Sequence, residues 1–245
     1  MEHYTLEFNE DNLLILKPVN KLSDEQYDRL KPVIENMGGH WREKIKGFIF
    51  HPDKSHLKAY TDRNEELQFF PTPKSVADRL VELSGINQLS AYDMPKVLEP
   101  SAGTGDLLDA LPSWVKPSLY VVEPDNINAE ILKEKGYWMV DETTFEDFYK
   151  SHKKLKNSLD YVVMNPPFSG SRDVLHTMMA YEFLKKGGTL VAIISENALY
   201  YENKHSDKFR DWVKATGAYI ESIPYGAFRE SGTNVDTVIV KVTKK

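Results

Sequence analysis

Two consecutive prolines follow an apolar run in the segment Asn165-Pro166-Pro167-Phe168. Proline has no backbone N–H, so this turn offers carbonyl acceptors without the usual donors. The Asn165 side chain adds a further carbonyl oxygen. Two acceptors that converge on a planar amine would hold both of its hydrogens and direct its lone pair at an electrophilic methyl group. Phe168 offers a ring face for a stacked base, whereas the alternative interpretation is a rigid turn that merely ends a strand.

The residues of a second segment could bind a ligand. This segment is the loop Glu99-Pro100-Ser101-Ala102-Gly103-Thr104-Gly105. Two glycines in a tight turn let the backbone approach a ligand closely. A dinucleotide fingerprint would require a third glycine at residue 108, where the chain has leucine, so this loop need not hold a pyrophosphate. The Glu99 carboxylate suits a ligand that carries a charged amino group and a sulfonium. The predicted ligand-binding residues here are Glu99, Pro100, Ser101, Ala102, Gly103 and Gly105.

Two further acidic residues follow the next apolar runs along the chain. Glu123, next to Pro124, ends the second run, where an acid can accept both hydroxyls of a ribose. Asp147 lies after the third, where it can accept from an adenine amine while Phe148 packs on the ring. A single strand-end acid is usually a helix cap. Three ligand-type residues in order, at successive strand ends, favour a site for an adenosine-containing cofactor.

A sheet must hold these segments, and strands alternate with helices from residue 69 onwards. Strands are predicted at 96–98, 119–123, 138–140, 159–164, 189–195, 219–223 and 237–242. Helices are predicted from 73, and at 106–111, 127–135, 145–150, 173–184 and 204–216. Continuously apolar strands such as 191–194 are typical of a parallel sheet with helices on both faces. The alternation predicts a doubly wound, mostly parallel, seven-stranded α/β sheet of Rossmann-like type, whose ligands bind beyond the carboxyl ends of the strands.

Residues 1–60 are predicted to form a small α+β appendage, joined to the domain at 69–245 by a linker at 61–68. Strands are predicted at 4–8, 13–16 and 47–50, with a helix from Ser23 to about residue 37 that ends at a pair of glycines. Trp41 stands among Arg42, Lys44 and Lys46, a pattern that would provide phosphate contact and base stacking. The alternative is that Trp41 is a core residue of a small bracing sheet.

The composition excludes several classes of protein. The chain has no cysteine and seven scattered histidines, so we expect no disulfide and no metal site. No apolar stretch is long enough to cross a bilayer, and the first residues lack the features of a signal peptide, which favours a cytoplasmic protein. A net charge of −6 is poor for a nucleic-acid partner overall, but local patches decide such binding.

The motifs resemble those of one family. Asn-Pro-Pro-Phe after a strand is similar to the signature of amino-methyltransferases, above all those that act on the exocyclic N6 amine of adenine in DNA. The segment 97–105 resembles their cofactor motif, and 69–73 resembles the segment that closes over the methionine moiety. The resemblance implies direct in-line methyl transfer from S-adenosyl-L-methionine after base flipping. It implies catalytic roles for Asn165, Pro166, Pro167 and Phe168, and cofactor contacts by Phe70, Pro71, Thr72, Glu123, Pro124, Asp147, Phe148, Asn165 and the loop residues 99–103 and 105.

The order of the motifs resembles the class in which a target-recognition domain follows the catalytic domain. Only Thr243-Lys244-Lys245 follow the last predicted strand, so we expect the small phage-type or mobile-element type without that domain. Target recognition would then come from the N-terminal appendage, from a partner, or from loops such as 224–233, which resembles the late loop that holds a flipped base. The alternatives are an amine methyltransferase for RNA, a glutamine-N5 methyltransferase for release factors, and a non-catalytic binding module.

Overall fold

The structure is a computed structural model that describes residues 4–8, 14–18, 23, 27, 31, 39–42, 46–50, 70–229, 231 and 235–245. The chain divides into two compact units, Met1–Leu67 and Gln68–Lys245. The described residues of the first unit include the strands β1 (Tyr4–Phe8), β2 (Leu14–Pro18), β3 (Gly39–Arg42) and β4 (Gly47–Phe50). They form an antiparallel sheet in the order β1-β2-β4-β3.

Strand β3 of this sheet was not anticipated by the sequence, because its four residues are too few to show alternation and begin with a glycine. It forms because Trp41 pairs with Phe48, and Arg42 pairs with Gly47, along β4. Tyr27 and Lys31 are helical, and the Tyr27 N–H donates to the Ser23 carbonyl over 2.9 Å. The rest of the predicted helix, and the predicted linker, lie outside the described residues.

The second unit alternates strands and helices. Its strands are β5 (Val97–Glu99), β6 (Leu119–Val122), β7 (Val140–Asp141), β8 (Leu159–Met164), β9 (Leu184–Ser195), β10 (Tyr219–Ser222) and β11 (Thr237–Thr243). Its helices are α1 (Lys74–Ser84), α2 (Asp106–Ala110), α3 (Asn126–Glu134), α4 (Phe145–Ser151), α5 (Arg172–Tyr181) and α6 (Lys204–Thr216). Short 3₁₀ turns lie at Ile86–Gln88, Ser113–Ser118, Lys153–Leu155, Ser169–Ser171 and Glu196–Leu199. In the described part of the chain, no helix is long and apolar enough to cross a membrane.

The seven strands form one sheet in the order β10-β11-β9-β8-β5-β6-β7. Strand β11 pairs antiparallel with both of its neighbours, and all the other pairings are parallel. The predicted doubly wound, mostly parallel α/β sheet is confirmed. This topology places the carboxyl ends of every strand except β11 at one edge of the sheet.

Both faces of this sheet are buried, which explains why its central strands are apolar throughout. Successive side chains of a strand point to opposite faces, and the two hydrophobic clusters follow that alternation. One cluster includes Val97, Val121, Val163 and Val191 and packs against α1. The other includes Leu98, Val122, Val162 and Ala192 and packs against Phe145, Phe148 and Phe183. Full burial of each such side chain contributes about 1.5–3 kcal/mol to folding.

Strand β9 begins at Leu184 rather than at residue 189, so the predicted end of the preceding helix was wrong; helix α5 ends at Tyr181. The early start depends on partners elsewhere in the chain. Leu184 pairs with Leu159, and Gly187 donates to the Lys244 carbonyl over 2.7 Å. A Cβ at Gly188 would lie 2.9 Å from the Leu159 carbonyl, so the close approach requires glycine. The third strand, predicted at 138–140, is observed at Val140–Asp141.

Candidate active site

The predicted site residues follow successive parallel strands. Glu99 ends β5, Glu123 follows β6 and Asn165 follows β8. Since these strands run in the same direction and β5 lies between β6 and β8, the three residues lie at the same edge of the sheet. Buried residues among the predicted set are Thr72, Glu99, Pro100, Ala102, Gly103, Gly105, Glu123, Phe148 and Pro166. Partly buried ones are Phe70, Pro71, Ser101, Asn165, Pro167 and Phe168, and Pro124 is exposed.

The glycine loop is held against strand β6 by its own backbone. The Gly103 N–H donates to Glu123 Oε2 over 2.7 Å, and the Ala102 N–H donates to the Val122 carbonyl over 3.0 Å. Gly103 and Gly105 have φ values of 55° and 90°. Side-chain-bearing residues rarely adopt such values, so the loop shape depends on glycine at both positions.

Gly105 provides the first test of this loop. A Cβ at Gly105 would lie 2.8 Å from Leu132 Cδ2, whereas Gly85, with a φ of +80°, has nothing within 4 Å of such a Cβ. We expect Gly85→Ala to lower the free energy of unfolding by about 1–2 kcal/mol, the cost of a left-handed backbone. Gly105→Ala should lose about 1–3 kcal/mol more through overpacking. Urea denaturation measures the free energy of unfolding of both variants. Equal losses would show that the Leu132 side chain can move aside without lowering stability.

Two carboxylates line the loop and are almost inaccessible to water. Glu99 is 1% exposed and Glu123 is 5% exposed. Burial raises the pKa of the Glu99 carboxyl to about 8, although the Ser101 N–H donates to it over 3.0 Å. Burial also raises the pKa of Glu123. A buried carboxyl of this kind becomes a strong partner for a cation, because the cation offsets the desolvation of its charged form.

The raised pKa of Glu99 predicts that a proton is released when a cationic ligand binds. Near pH 7 a carboxyl of pKa about 8 is mostly protonated, and a neighbouring ammonium favours the ionised form. Binding of S-adenosylmethionine should release up to about one proton, and affinity should rise by at most about tenfold per pH unit below that pKa and level off above it. Calorimetry in buffers of different ionisation enthalpy measures this release. Glu99→Gln should abolish it, and an observed enthalpy independent of the buffer in the wild type would contradict the assignment.

The Asn165 side chain is held by the segment that precedes α1. Its Nδ2 donates to the Phe70 carbonyl over 3.2 Å and to Thr72 Oγ1 over 3.0 Å. The Phe168 ring lies nearly parallel to the Phe70 ring, with 6.1 Å between centroids and 14° between planes. The predicted closure segment and the predicted catalytic turn are therefore in direct contact.

The predicted adenine contacts are placed differently. Asp147 lies in the first turn of α4, where its N–H donates to Thr144 Oγ1 over 3.2 Å. The Lys150 ammonium, 2.9 Å away, lowers the pKa of this exposed carboxyl. Phe148 is fully buried, and its ring packs against Phe183 and His152. Phe148 belongs to the core in this structure, and its contact with an adenine ring stays a prediction.

Two positioning residues were missed by the sequence reasoning. Asp106, the first residue of α2, accepts from the Thr104 hydroxyl and also interacts with the Thr72 N–H; burial raises its pKa. Its position directly after Gly105 was the available signal. Lys135 Nζ donates to the Thr104 carbonyl over 2.7 Å. Lys135 carried no local signal, because it lies at the end of a different helix.

The late loop between β10 and β11 lies at the same edge of the sheet. Tyr225 is 73% exposed, and the Arg229 guanidinium lies 4.7 Å from the centre of its ring. Phe228 is buried in the core. Residues 230 and 232–234 lie outside the described residues. No group of three or more His, Asp or Glu side chains suited to a metal ion occurs in the part of the chain that the structure describes.

In the N-terminal unit, the proposed nucleic-acid residues are only partly described. Trp41 is half-buried, and the Tyr27 ring meets it edge-on with 5.1 Å between centroids. Arg42 lies in β3 and Lys46 in the following turn. Lys44 lies outside the described residues, so the predicted cluster stays a prediction.

Comparison with known proteins shows the structural class of the fold. Neither the protein-family models nor the curated protein sequences match the chain. Among solved structures, a protein assigned as the modification subunit of a type I restriction enzyme from Vibrio vulnificus has a TM-score of 0.56 at 14% identity, covering 92% of this chain and 51% of its own. This chain thus spans about half the length of that subunit.

Two further solved structures are also similar to this chain. A protein from Listeria monocytogenes assigned as a class I S-adenosylmethionine-dependent methyltransferase has a TM-score of 0.52 at 14% identity, over 78% of this chain and 66% of its own. A protein from Pyrococcus horikoshii assigned as an RNA methyltransferase has a TM-score of 0.50 at 18% identity, over 73% of this chain and 87% of its own. The chain has the Rossmann-like fold of the class I S-adenosylmethionine-dependent methyltransferases.

Proposed function

We propose that the chain is an S-adenosylmethionine-dependent methyltransferase that modifies the exocyclic N6 amine of adenine in DNA. The observation that carries the proposal is the Asn165 amide. Both hydrogens of its nitrogen are used within the protein, on the Phe70 carbonyl and on Thr72. Its Oδ1 is the acceptor that remains for a substrate amine, beside the Pro166 carbonyl in the adjoining turn.

The residues of the glycine loop fit the cofactor. Gly103 and Gly105 adopt positive φ values that favour glycine, and because glycine has no side chain a ligand can approach the backbone there. The raised pKa of buried Glu99 suits an ammonium, and Glu123 offers carboxylate oxygens to ribose hydroxyls. S-adenosylmethionine, when bound, supplies an electrophilic methyl group on a sulfonium.

The acceptor side would act by orientation and electrostatics. Asn165 Oδ1 and the Pro166 carbonyl would each accept one hydrogen of the amine. These two bonds would reduce the conjugation of the nitrogen lone pair with the ring and direct it at the methyl group. The same oxygens would stabilise the positive charge that develops on nitrogen. Phe168 provides a ring face for the base, which in duplex DNA must first leave the stack. Holding the reactants in place would supply much of the acceleration.

DNA is the favoured substrate, because the Asn-Pro-Pro-Phe turn is combined with the 70–72 segment and because the fold is shared with a restriction-modification subunit. Exposed Tyr225, with its arginine partner at the same edge, provides a surface for phosphate contact and base stacking. RNA is the second candidate, since the fold is also shared with a protein assigned as an RNA methyltransferase.

The test is incubation of the full chain with labelled S-adenosylmethionine and, separately, double-stranded DNA, single-stranded DNA, ribosomal RNA or a release factor. Nucleoside analysis should detect N6-methyladenine in DNA. A methylated base in RNA alone would establish the second candidate, and label on glutamine would assign the chain to protein methylation. Cofactor binding without label on any substrate would favour a non-catalytic binding module.

A further inference from the structure

Thr72 contacts the Asn165 amide and Asp106, the residue that directly follows the glycine loop. Its N–H interacts with the Asp106 carboxyl, at the start of α2 directly after Gly105. Its Oγ1 accepts from Asn165 Nδ2 over 3.0 Å. Thr72 is only 9% exposed, so water competes little for these bonds. One residue thus contacts both the residue that follows the glycine loop and the side chain that would hold the acceptor.

The direction of the Asn165 amide follows from the chemistry of its partners. The Phe70 carbonyl can only accept a hydrogen bond, so the amide nitrogen must face Phe70 and Thr72. The Oδ1 atom then points away from the segment 70–72. If the amide turned over, its N–H₂ group would meet a substrate amine, which is also a donor, and the pair would repel.

The Phe70 carbonyl alone would satisfy only one of the two amide hydrogens. Thr72 satisfies the second, and its backbone N–H in turn interacts with the Asp106 carboxyl. The Asp106 carboxylate is itself oriented by the Thr104 hydroxyl, 3.3 Å away. The Asn165 amide is therefore linked through Thr72 to Asp106 and Thr104, where the glycine loop meets α2.

We propose that Thr72 is a positioning residue that locks the Asn165 amide with its oxygen towards the acceptor amine, and that it acts through Asn165 rather than by binding the cofactor. This inference rests on the proposed function for its kinetic consequence, but the orientation of the amide can be measured without any substrate. It differs from the role in cofactor binding that the sequence resemblance implies for the same residue.

The test compares Thr72→Val and Thr72→Ser in the full chain. Valine has the shape of threonine but no hydroxyl, so kcat should fall by about tenfold, the effect of losing one hydrogen bond. The dissociation constant of S-adenosylmethionine should stay within about twofold of the wild-type value. Serine restores the hydroxyl and should restore most of the kcat. Thr189→Val is the matched control, because Thr189 is also 9% exposed and its hydroxyl bonds to Thr243 in the sheet.

A second readout does not depend on activity. In ¹⁵N-labelled protein, the side-chain amide signals of Asn165 are identified by their disappearance in Asn165→Ala. Loss of one acceptor in Thr72→Val should shift one of the two amide protons upfield and speed its exchange with water, while Thr189→Val should change neither. If no substrate is methylated, the proposed function fails, and these signals still decide whether Thr72 positions Asn165.

Three results would overturn the inference. Unchanged Asn165 amide signals in Thr72→Val would show that the bond is not formed. A kcat of Thr72→Val within about twofold of wild type would show that the bond does not matter for transfer. A loss of cofactor affinity that matches or exceeds the loss of kcat would assign Thr72 to cofactor binding.

Discussion

Asn165→Ala is expected to lower methyl transfer by about 10²–10³-fold, the usual effect of removing one preorganised hydrogen-bonding group from a reacting centre. The variant loses Oδ1, the acceptor proposed for the substrate amine, because Nδ2 donates to Phe70 and Thr72. It also frees the Phe70 carbonyl and the Thr72 hydroxyl, which water can then reach. Binding of S-adenosylmethionine should change little, because the buried carboxylates and the glycine loop stay intact.

Single-turnover transfer of label and calorimetric binding of the cofactor measure these two quantities on the same preparation. A thermal melt of the variant verifies that it is folded. Full transfer by Asn165→Ala would contradict the mechanism, whatever the substrate. A loss of cofactor affinity as large as the loss of methyl transfer would show that Asn165 belongs to the cofactor site. The ratio of these two losses therefore separates a role in cofactor binding from a role in transfer.

Glu123→Ala is expected to raise the dissociation constant of S-adenosylmethionine at least about tenfold. The carboxylate is expected to bind the ribose hydroxyls, and in the structure its Oε2 also accepts from the Gly103 N–H over 2.7 Å. Its Oε1 accepts from the Asp125 N–H over 2.9 Å. The substitution therefore removes a ligand contact and releases the glycine loop from β6, so both effects weaken binding.

Glu130→Ala is the matched control, because it removes the same formal charge as Glu123→Ala. Glu130 lies on the adjoining helix α3, where its exposed side chain bonds to Lys133. Its cofactor affinity should equal that of the wild type. If Glu123→Ala binds as tightly as the control, Glu123 is a structural residue of the loop only. Calorimetry with both variants at one salt concentration makes the comparison.

Many secondary-structure elements could be predicted from local sequence, because their signals are contained within them. Strand β8 and helix α6 begin and end at the predicted residues. For α6 the reason is visible: the Asn203 side chain accepts from the N–H groups of His205 and Ser206, and Gly217 ends the helix with a φ of 71°. Apolar runs predicted a sheet buried on both faces, and the two hydrophobic clusters lie on opposite sides of it.

The sequence also placed the candidate site, since strand-end residues of parallel strands must share an edge. What it could not determine is which atoms meet there. Asn165 and Thr72 are separated by 93 residues, and their bond exists only because β8 is brought beside the segment that precedes α1. The burial of Phe148 is likewise a tertiary property, because it results from packing against Phe183. Residue types and strand ends are local properties of the chain, whereas burial and hydrogen-bond partners depend on the neighbours that the tertiary fold supplies.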